Sequence, residues 1–576
     1  MPTLASLPTL RRCRLTTERF PGLDRRGDAP EGSLEACTNL SSRLYPLCAS
    51  RSRRGVFLTL SDPGGLIEKD ALCYVSAGGL YINHTLTALT GLSSGEKQLV
   101  SMGAYLLIFP DRMYYNTADP TDYGSMEARY SATGAVTYTP CDREGRAVSV
   151  IYSADEPEEP ENGDLWTEGT GLWQYSRAQE SWSAVQGYVK LTFSTQGRIP
   201  ALFSVTDGVS LGGTEGLDGS HVLTALGGGE EESDFIVLPG LLWESSTETA
   251  TVTLTRTVPA MDYVCQSGNR LWGCRYGRNA AGEVVNELYA SALGDFKNWN
   301  RFEGLSTDSW RASVGSDGVW TGAVNYLGSP VFFKENTVHR ITVSAIGAHA
   351  VSEMKCRGVQ KGCYKSLRVV GDVLYYKSPR DVCAWQGGFP QSVSLPLGEE
   401  SGNCAAAGAL GERYYLSMEN AEGLWSLYVY DTVRDIWYRE DDLHAVSFAA
   451  ADGDLWCLDG DGRLLSLTGQ NGTAEEEISW SGTSRLFHYS LPERKYLGRV
   501  SLRMSLERGK RATLAVEYDS SGVWETIGTV TGTGLTGSFT LPLLPRRCDH
   551  FRLRLSGSGE VRLYSVSRQL ETGSEW

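Results

Sequence analysis

No apolar run in the chain approaches the roughly 18 residues needed to span a bilayer. The longest compact one is Ala104–Phe109. Methionine is scarce at 8 of 576 residues, and no stretch longer than about 15 residues reads as helix, which excludes a helical bundle. The best helical candidate, residues 352–367, is interrupted by Gly358 and Gly362. The thirteen cysteines are scattered, odd in number and without a C-x-x-C pair, so they form neither a disulfide framework nor a zinc ribbon by spacing. Cys265/Cys274 and Cys356/Cys363 are placed to lie on neighbouring strands as thiols, with a disulfide or a metal as the alternatives. The seven histidines are isolated, with no H-x-x-x-H spacing. The opening MPTLASLPTLRRCRL carries arginines where a secretory signal would be apolar, so no signal peptide is expected and a reducing compartment is.

Glycine, by contrast, is abundant at 65, and tryptophan (15) and tyrosine (28) are plentiful. Many short strands joined by tight turns need this mixture: rings pack on pleated faces and glycine takes positive φ. The net charge of −16 is uneven. Residues 118–258 hold 22 Asp and Glu against 7 Lys and Arg, which leaves the rest of the chain near neutral. Residues 1–60 carry 10 Arg against 5 acids, too few and too turn-rich for a basic nucleic-acid groove.

Strand signals recur about every 40 residues, the interval of four-stranded propeller blades. They fall at 71–83, 99–117, 261–277, 314–343, 367–388, 411–431 and 448–469. Residues 288–305 and 427–443 can be laid over one another, each running from Leu-Tyr through a polar turn to an aromatic strand. Six blades are the favoured count, with five and seven as alternatives. Because an open ring would expose unpaired strand edges, the strand 53–60 is expected to pair with the last blade near 463–469. The expected organisation is an N-terminal arm (1–52), a first propeller part (53–117), an acidic inserted β domain (118–258), the rest of the propeller (259–483) and a C-terminal β-sandwich (484–576). Period-two alternation gives the sandwich about seven strands, and the tail ETGSEW is expected to fray.

Candidate chemistry is sparse. Gly91-Leu92-Ser93-Ser94-Gly95 fits the G-x-S-x-G pattern, yet it sits in a loop of an all-β chain where no strand-to-helix elbow is available. Asp452-Gly453-Asp454 and Asp459-Gly460-Asp461-Gly462 match hairpin turns, with calcium loops as the alternative. Ser316–Trp320 and Asp519–Trp524 are the wrong length for the Asp boxes of sialidase propellers, and no carboxylate pair stands out for a glycosidase. Trp166, Trp173, Tyr175 and Trp182 lie close together in the insertion. They read as the core of a very small β domain or as a platform for glycan or host-surface contact. No catalytic, cofactor-binding or metal-binding residue is singled out, and no cofactor is expected.

Three strings carry a resemblance: FPGLDRRGDAPEGSLEACTNLSSRLYPLCASRSRRG (20–55), KGCYKSLRVVGDVLYYKSPRDVCAWQGGFPQSVS (361–394) and LPRRCDHFRLRLSGSGEVRLYSVSRQLETGSE (544–575). They resemble propeller proteins of tailed-phage virions, including the tail-nozzle and tail-stabilisation proteins of short-tailed phages and relatives in Gram-positive prophages. The resemblance implies a non-enzymatic ring subunit near the tail or portal vertex, assembled in the bacterial cytoplasm. Its partners would be copies of itself in a closed homo-oligomeric ring and neighbouring virion proteins (portal, adaptor or other tail proteins). Genomic DNA would make passing contact, and no membrane is spanned. The alternatives are a receptor- or glycan-binding tail protein acting through the insertion, and a polysaccharide-cleaving propeller enzyme.

Overall fold

Seven antiparallel sheets, six of them built from strands consecutive in sequence, follow one another around a ring in the computed structural model, which describes residues 11–279, 281–344, 347–398, 402–489 and 494–572. Blades 1 to 6 cover residues 63–90, 98–125, 263–313, 322–355, 368–392 and 404–441, and blade 7 starts from 445–466. The first strand of a blade lies against the first strand of the next, from blade 7 to blade 1 as well, so these strands are the inner ones. Blade 4 reaches blade 5 through the 3-10 helix Tyr364–Ser366. The molecule is all-β: a propeller with an inserted β domain and a β-sandwich. It has seven blades where six were favoured. The insertion falls between complete blades, so the segments at 71–83 and 99–117 each finish a blade of their own.

The ring closes where closure is expected. Strand Gly55–Thr59 pairs antiparallel with Arg463–Ser466, placing Arg463 opposite Thr59 and Ser466 opposite Gly55. The N-terminal side of the chain thus supplies the outer part of blade 7, and no edge is left at the joint. Between blades, apolar faces interlock: Leu72, Tyr74, Trp456 and Leu458 join blades 7 and 1, and Trp272, Leu288, Trp320 and Phe332 join blades 3 and 4. The inner strands of blades 6 and 7 are rich in small residues because they approach closely. A Cβ on Gly408 would lie 2.8 Å from Phe448.

In blades 2 to 7 the inner strand turns into the next through two residues. In blade 7 both central residues, Asp452 (φ 53) and Gly453 (φ 74), are left-handed, the type I′ geometry whose twist matches the strands. The Asp-Gly pair is therefore a hairpin turn, and the Asp454 carboxylate accepts bonds from Ser466, Thr468 and Asn471. In blade 4 the equivalent position is Leu327, at φ 48 and 60% exposed. A leucine there carries a steric cost that asparagine tolerates better. Leu327→Asn is expected to raise the thermal midpoint, with a gain of about 1 kcal/mol; a lowered midpoint would refute this reading of the turn.

Residues 352–367 are not a helix. They hold the end of strand His349–Lys355, a connecting loop and the 3-10 helix. A Cβ on Gly358 would sit 1.9 Å from the Lys334 carbonyl oxygen, so a neighbouring strand already occupies the space a helix would need.

Between blades 2 and 3 the chain leaves the ring to build a seven-stranded sheet. Its long strands Ala128–Cys141 and Ser246–Arg256 pair over eleven positions and bury Tyr130, Val252 and Leu254 completely. A separate four-stranded sheet, residues 150–185, hangs from it. The insertion is fixed to the blade 3 loop by Asn298, which donates to Asp207 at 2.9 Å and accepts from the Gly208 amide at 2.9 Å, while the buried Arg256–Asp207 ion pair holds Asp207 in place within the insertion.

Seven strands from Lys495–Leu506 to Val561–Thr572 form the C-terminal sandwich, together with Ser479–Ser484 and strands of the N-terminal arm. Leu34–Thr38 extends one sheet beside Ser479–Ser484, while Arg11–Thr17 and Cys48–Ser50 both pair with Val561–Thr572 in the other. The arm also binds the sandwich to the propeller. Leu23 is fully buried, its amide donating to the Trp437 carbonyl at 2.6 Å, and the Tyr438 hydroxyl donates to the Phe20 carbonyl at 2.9 Å. Residues 1–10 and 573–576, including most of the tail expected to fray, lie outside the described residues.

Candidate active site

The blades place side chains of distant sequence together where the inner strands begin. Glu96 precedes the inner strand of blade 2 (Gln98–Met102), and Tyr364 and Lys365 stand on the 3-10 helix that precedes the inner strand of blade 5 (Arg368–Val370). Blades 2 and 5 are not neighbours, so a contact between them crosses the axis of the ring. Lys365 Nζ lies 2.8 Å from Glu96 Oε1, and the Tyr364 hydroxyl donates to the same oxygen. The Tyr364 ring packs 5.1 Å from that of Tyr263, the first residue of the blade 3 inner strand. Cys404 opens the inner strand of blade 6, and its partner across the hairpin is Glu419.

The electrostatics follow from this crowding. Burial by itself would raise the Glu96 pKa, but the charge and hydrogen bond of Lys365 and the Tyr364 hydroxyl outweigh it and hold the carboxyl below its ordinary value. Glu96 is thus an anion at neutral pH. Burial pushes the Tyr263 phenol up to about 12, helped by the charges of Cys274, Asp262 and Glu96. Burial also raises the Cys404 thiol, and the charges of Glu419 and Glu96 both add to it. Three carboxylates therefore bear on this end of the ring: Glu96, with Asp262 beside Tyr263 and Glu419 beside Cys404. Asp262 is held by Arg275 at 2.8 Å.

The residues singled out by sequence lie elsewhere. Trp166, Trp173, Tyr175 and Trp182 come together on one face of the small sheet: Trp173 is the cross-strand partner of Trp166, and Tyr175 of Trp182. Ring centroids are 5.6 Å apart for Trp166 and Trp182 and 5.3 Å for Tyr175 and Trp182. Trp166 is buried, its indole N–H donating to Ser153, while the other three rings are half-buried. Ser93 of the G-x-S-x-G string sits in the loop between blades 1 and 2 and accepts a 2.6 Å bond from the buried Lys97, an ammonium also paired with Asp111. His339 is buried, bonded to Ser316 at 3.0 Å, and desolvation lowers its pKa to about 4, so it stays neutral. Sequence reasoning missed Glu96 and Lys365. They are 269 positions apart, and no local motif marks either of them.

No family model matches the chain, and no curated protein does. Among solved structures the chain is similar to an exo-β-1,3-galactanase from Phanerochaete chrysosporium with galactose, at 10% identity over 53% of this chain and 94% of that one, TM-score 0.22. It is similar to a glycoside hydrolase family 43 arabinoxylan arabinofuranohydrolase from Bacillus subtilis, at 7% identity over 53% and 94%, TM-score 0.17. It is also similar to the extracellular domain of a hybrid two-component system protein from B. thetaiotaomicron, at 10% identity over 86% and 98%, TM-score 0.16. The expectation of a non-enzymatic phage-virion ring component is corrected here. The structures named are glycoside hydrolases and the extracellular domain of a two-component system protein.

Proposed function

We propose that this chain hydrolyses polysaccharide at the axial end of the propeller, with Glu96 as the carboxylate that works in its ionised form. The observation that supports this reading is the anionic Glu96, fixed across the ring axis by Lys365 and Tyr364 among the aromatic rings of Tyr263 and Tyr364. Glycoside hydrolysis breaks the bond between the anomeric carbon and the bridging oxygen; water supplies the new oxygen on that carbon and a proton reaches the departing oxygen. Two carboxyl groups share this work, one ionised as base or nucleophile and one protonated as acid. Glu96 fits the first role because its environment favours the charge. Glu419, which bears on the same end of the ring beside Cys404, is the candidate for the second, since Asp262 is ion-paired with Arg275. The apolar faces of Tyr263 and Tyr364 offer sugar rings a stacking surface.

The test is release of reducing ends from a panel of neutral and acidic polysaccharides by the full chain. Activity should persist at acid pH, because a carboxyl with a lowered pKa keeps its charge until the pH falls below the ordinary range, about 4.3 for glutamate. Lys365→Met removes the main influence that lowers it. The acid limb of the kcat/KM profile should then move to higher pH, since a larger share of Glu96 is protonated at each acid pH. An unmoved limb would show that another group sets it. Lys365 acts through Glu96 and is a positioning residue.

A further inference from the structure

The C-terminal sandwich carries a pocket whose charge opposes that of the molecule. It is about 500 Å³ in volume and is walled by three distant parts of the chain: the N-terminal arm (Arg25, Glu35), the entry to the sandwich (Arg485) and the sheet beyond (Trp524, Arg552, Arg554). Four arginines and one glutamate face it, in a chain of net charge −16.

The arginines are not equivalent. Arg552 is spent on neighbours, donating to Glu35 at 2.8 and 2.9 Å and to Glu517 at 2.7 Å. Arg25 donates to the carbonyls of Leu397 and Glu35. Arg485 donates to the backbone carbonyls of Gly27 (2.7 Å) and Ala29, which neutralise none of its charge. Arg554 donates to Thr483 at 3.3 Å and lies with its guanidinium 3.8 Å from the centroid of Trp524. Among the described residues neither Arg485 nor Arg554 has a carboxylate partner. Both are half-buried, so their charge is screened less than on an open surface.

We propose that this pocket binds a carboxylate-bearing sugar unit of an acidic glycan chain. Two guanidinium groups without carboxylate partners provide forked donors that match a carboxylate. The half-exposed Trp524 indole provides an apolar edge for the sugar ring, and the volume suits a residue of a chain. The acidic insertion supplies no such place: with 22 acids against 7 bases it repels a polyanion, so the pocket is where an acidic chain can be held. The inference rests on the reading of the chain as acting on polysaccharide and narrows the substrate to acidic polymers.

The experiment is isothermal titration calorimetry of the full chain with tetragalacturonate, a neutral galactose tetramer and inorganic phosphate. Wild type, Arg485→Gln, Arg554→Gln and Glu96→Gln are compared, with thermal midpoints measured to confirm folding. Tetragalacturonate should bind, more weakly at higher salt, and each arginine variant should weaken it by about tenfold or more. Glu96→Gln should still bind tetragalacturonate and should not cleave it. Absence of binding, equal binding of the neutral tetramer, displacement by phosphate at equal concentration, or unchanged affinity in both arginine variants would each overturn the proposal. Cleavage that persists while tetragalacturonate fails to bind overturns this inference alone. Binding that persists while no polysaccharide is cleaved overturns the hydrolytic reading alone.

Discussion

Replacing Arg54 with alanine is expected to destabilise the chain by about 3–5 kcal/mol, the usual cost of leaving a buried ionic partner unpaired. Arg54 immediately precedes the closing strand Gly55–Thr59, and its side chain is only 5% exposed. It pairs with Asp441 at 2.5 Å and with Glu440 at 3.0 Å, both at the end of blade 6. Arg51 joins the same cluster through Glu475 at 2.7 Å. Burial raises the Glu440 pKa even though Arg54 pulls it down, so desolvation already outweighs the pairing. A raised carboxyl pKa favours the folded state at low pH, and that contribution is lost as the pH rises through the folded value. Without Arg54 the raised value climbs further. The destabilisation should therefore be largest at neutral pH and shrink as Glu440 takes up a proton on acidification. Denaturant unfolding of the first transition at neutral and mildly acidic pH measures this. Arg53→Ala is the control: Arg53 and Glu507 are both about a third exposed, and that loss should stay within about 1 kcal/mol. Equal effects at the two arginines would refute the role given to the buried cluster.

Glu96→Gln is expected to lower the rate of polysaccharide hydrolysis by about a hundredfold or more, with the thermal midpoint little changed. The amide oxygen of glutamine can still accept from Lys365 and Tyr364, so the bridge across the axis survives. What is lost is the negative charge, and with it the ability to take a proton or to attack carbon. Loss of kcat with KM retained would place the effect in the chemical step. Glu419→Gln, assayed beside it, tests the acid: rates lowered chiefly for substrates with poor leaving groups mark the loss of the proton donor. If both variants retain full activity, the axial end is not where cleavage occurs.

The fold was legible because its determinants are local. Asp-Gly and Leu-Gly turns between apolar strands announce hairpins wherever they occur, and the alternation from Lys495 onward sets one face of each sandwich strand inward. The closing strand could be named because a ring must not end in an open edge. The blade count was less legible. Whether strands around a 135-residue excursion between Ser125 and Met261 complete one blade or two depends on pairing that the pattern does not encode. The N-terminal arm hid its partners for the same reason: Arg11–Thr17 pairs with Val561–Thr572 across more than five hundred positions.

The site was opaque for a further reason. Conspicuous aromatics such as Trp166 and Trp182 announce themselves in a charged, proline-rich neighbourhood, yet they gather on one face of their own small sheet. Glu96 lies in an ordinary Gly-Glu-Lys turn, and Lys365 in Tyr-Lys-Ser. Neither gains chemical meaning until the third blade step brings them across the axis. The arginine pocket is equally silent, since its walls come from residues near 25, 485 and 554.

Product analysis in water enriched in heavy oxygen tests the central claim most directly. Wild-type protein should release saccharides whose new reducing ends carry the heavy isotope, while Glu96→Gln under the same conditions should release almost none. Intact polymer in every wild-type reaction, or fragments whose reducing ends lack the isotope, would contradict hydrolysis at the propeller axis.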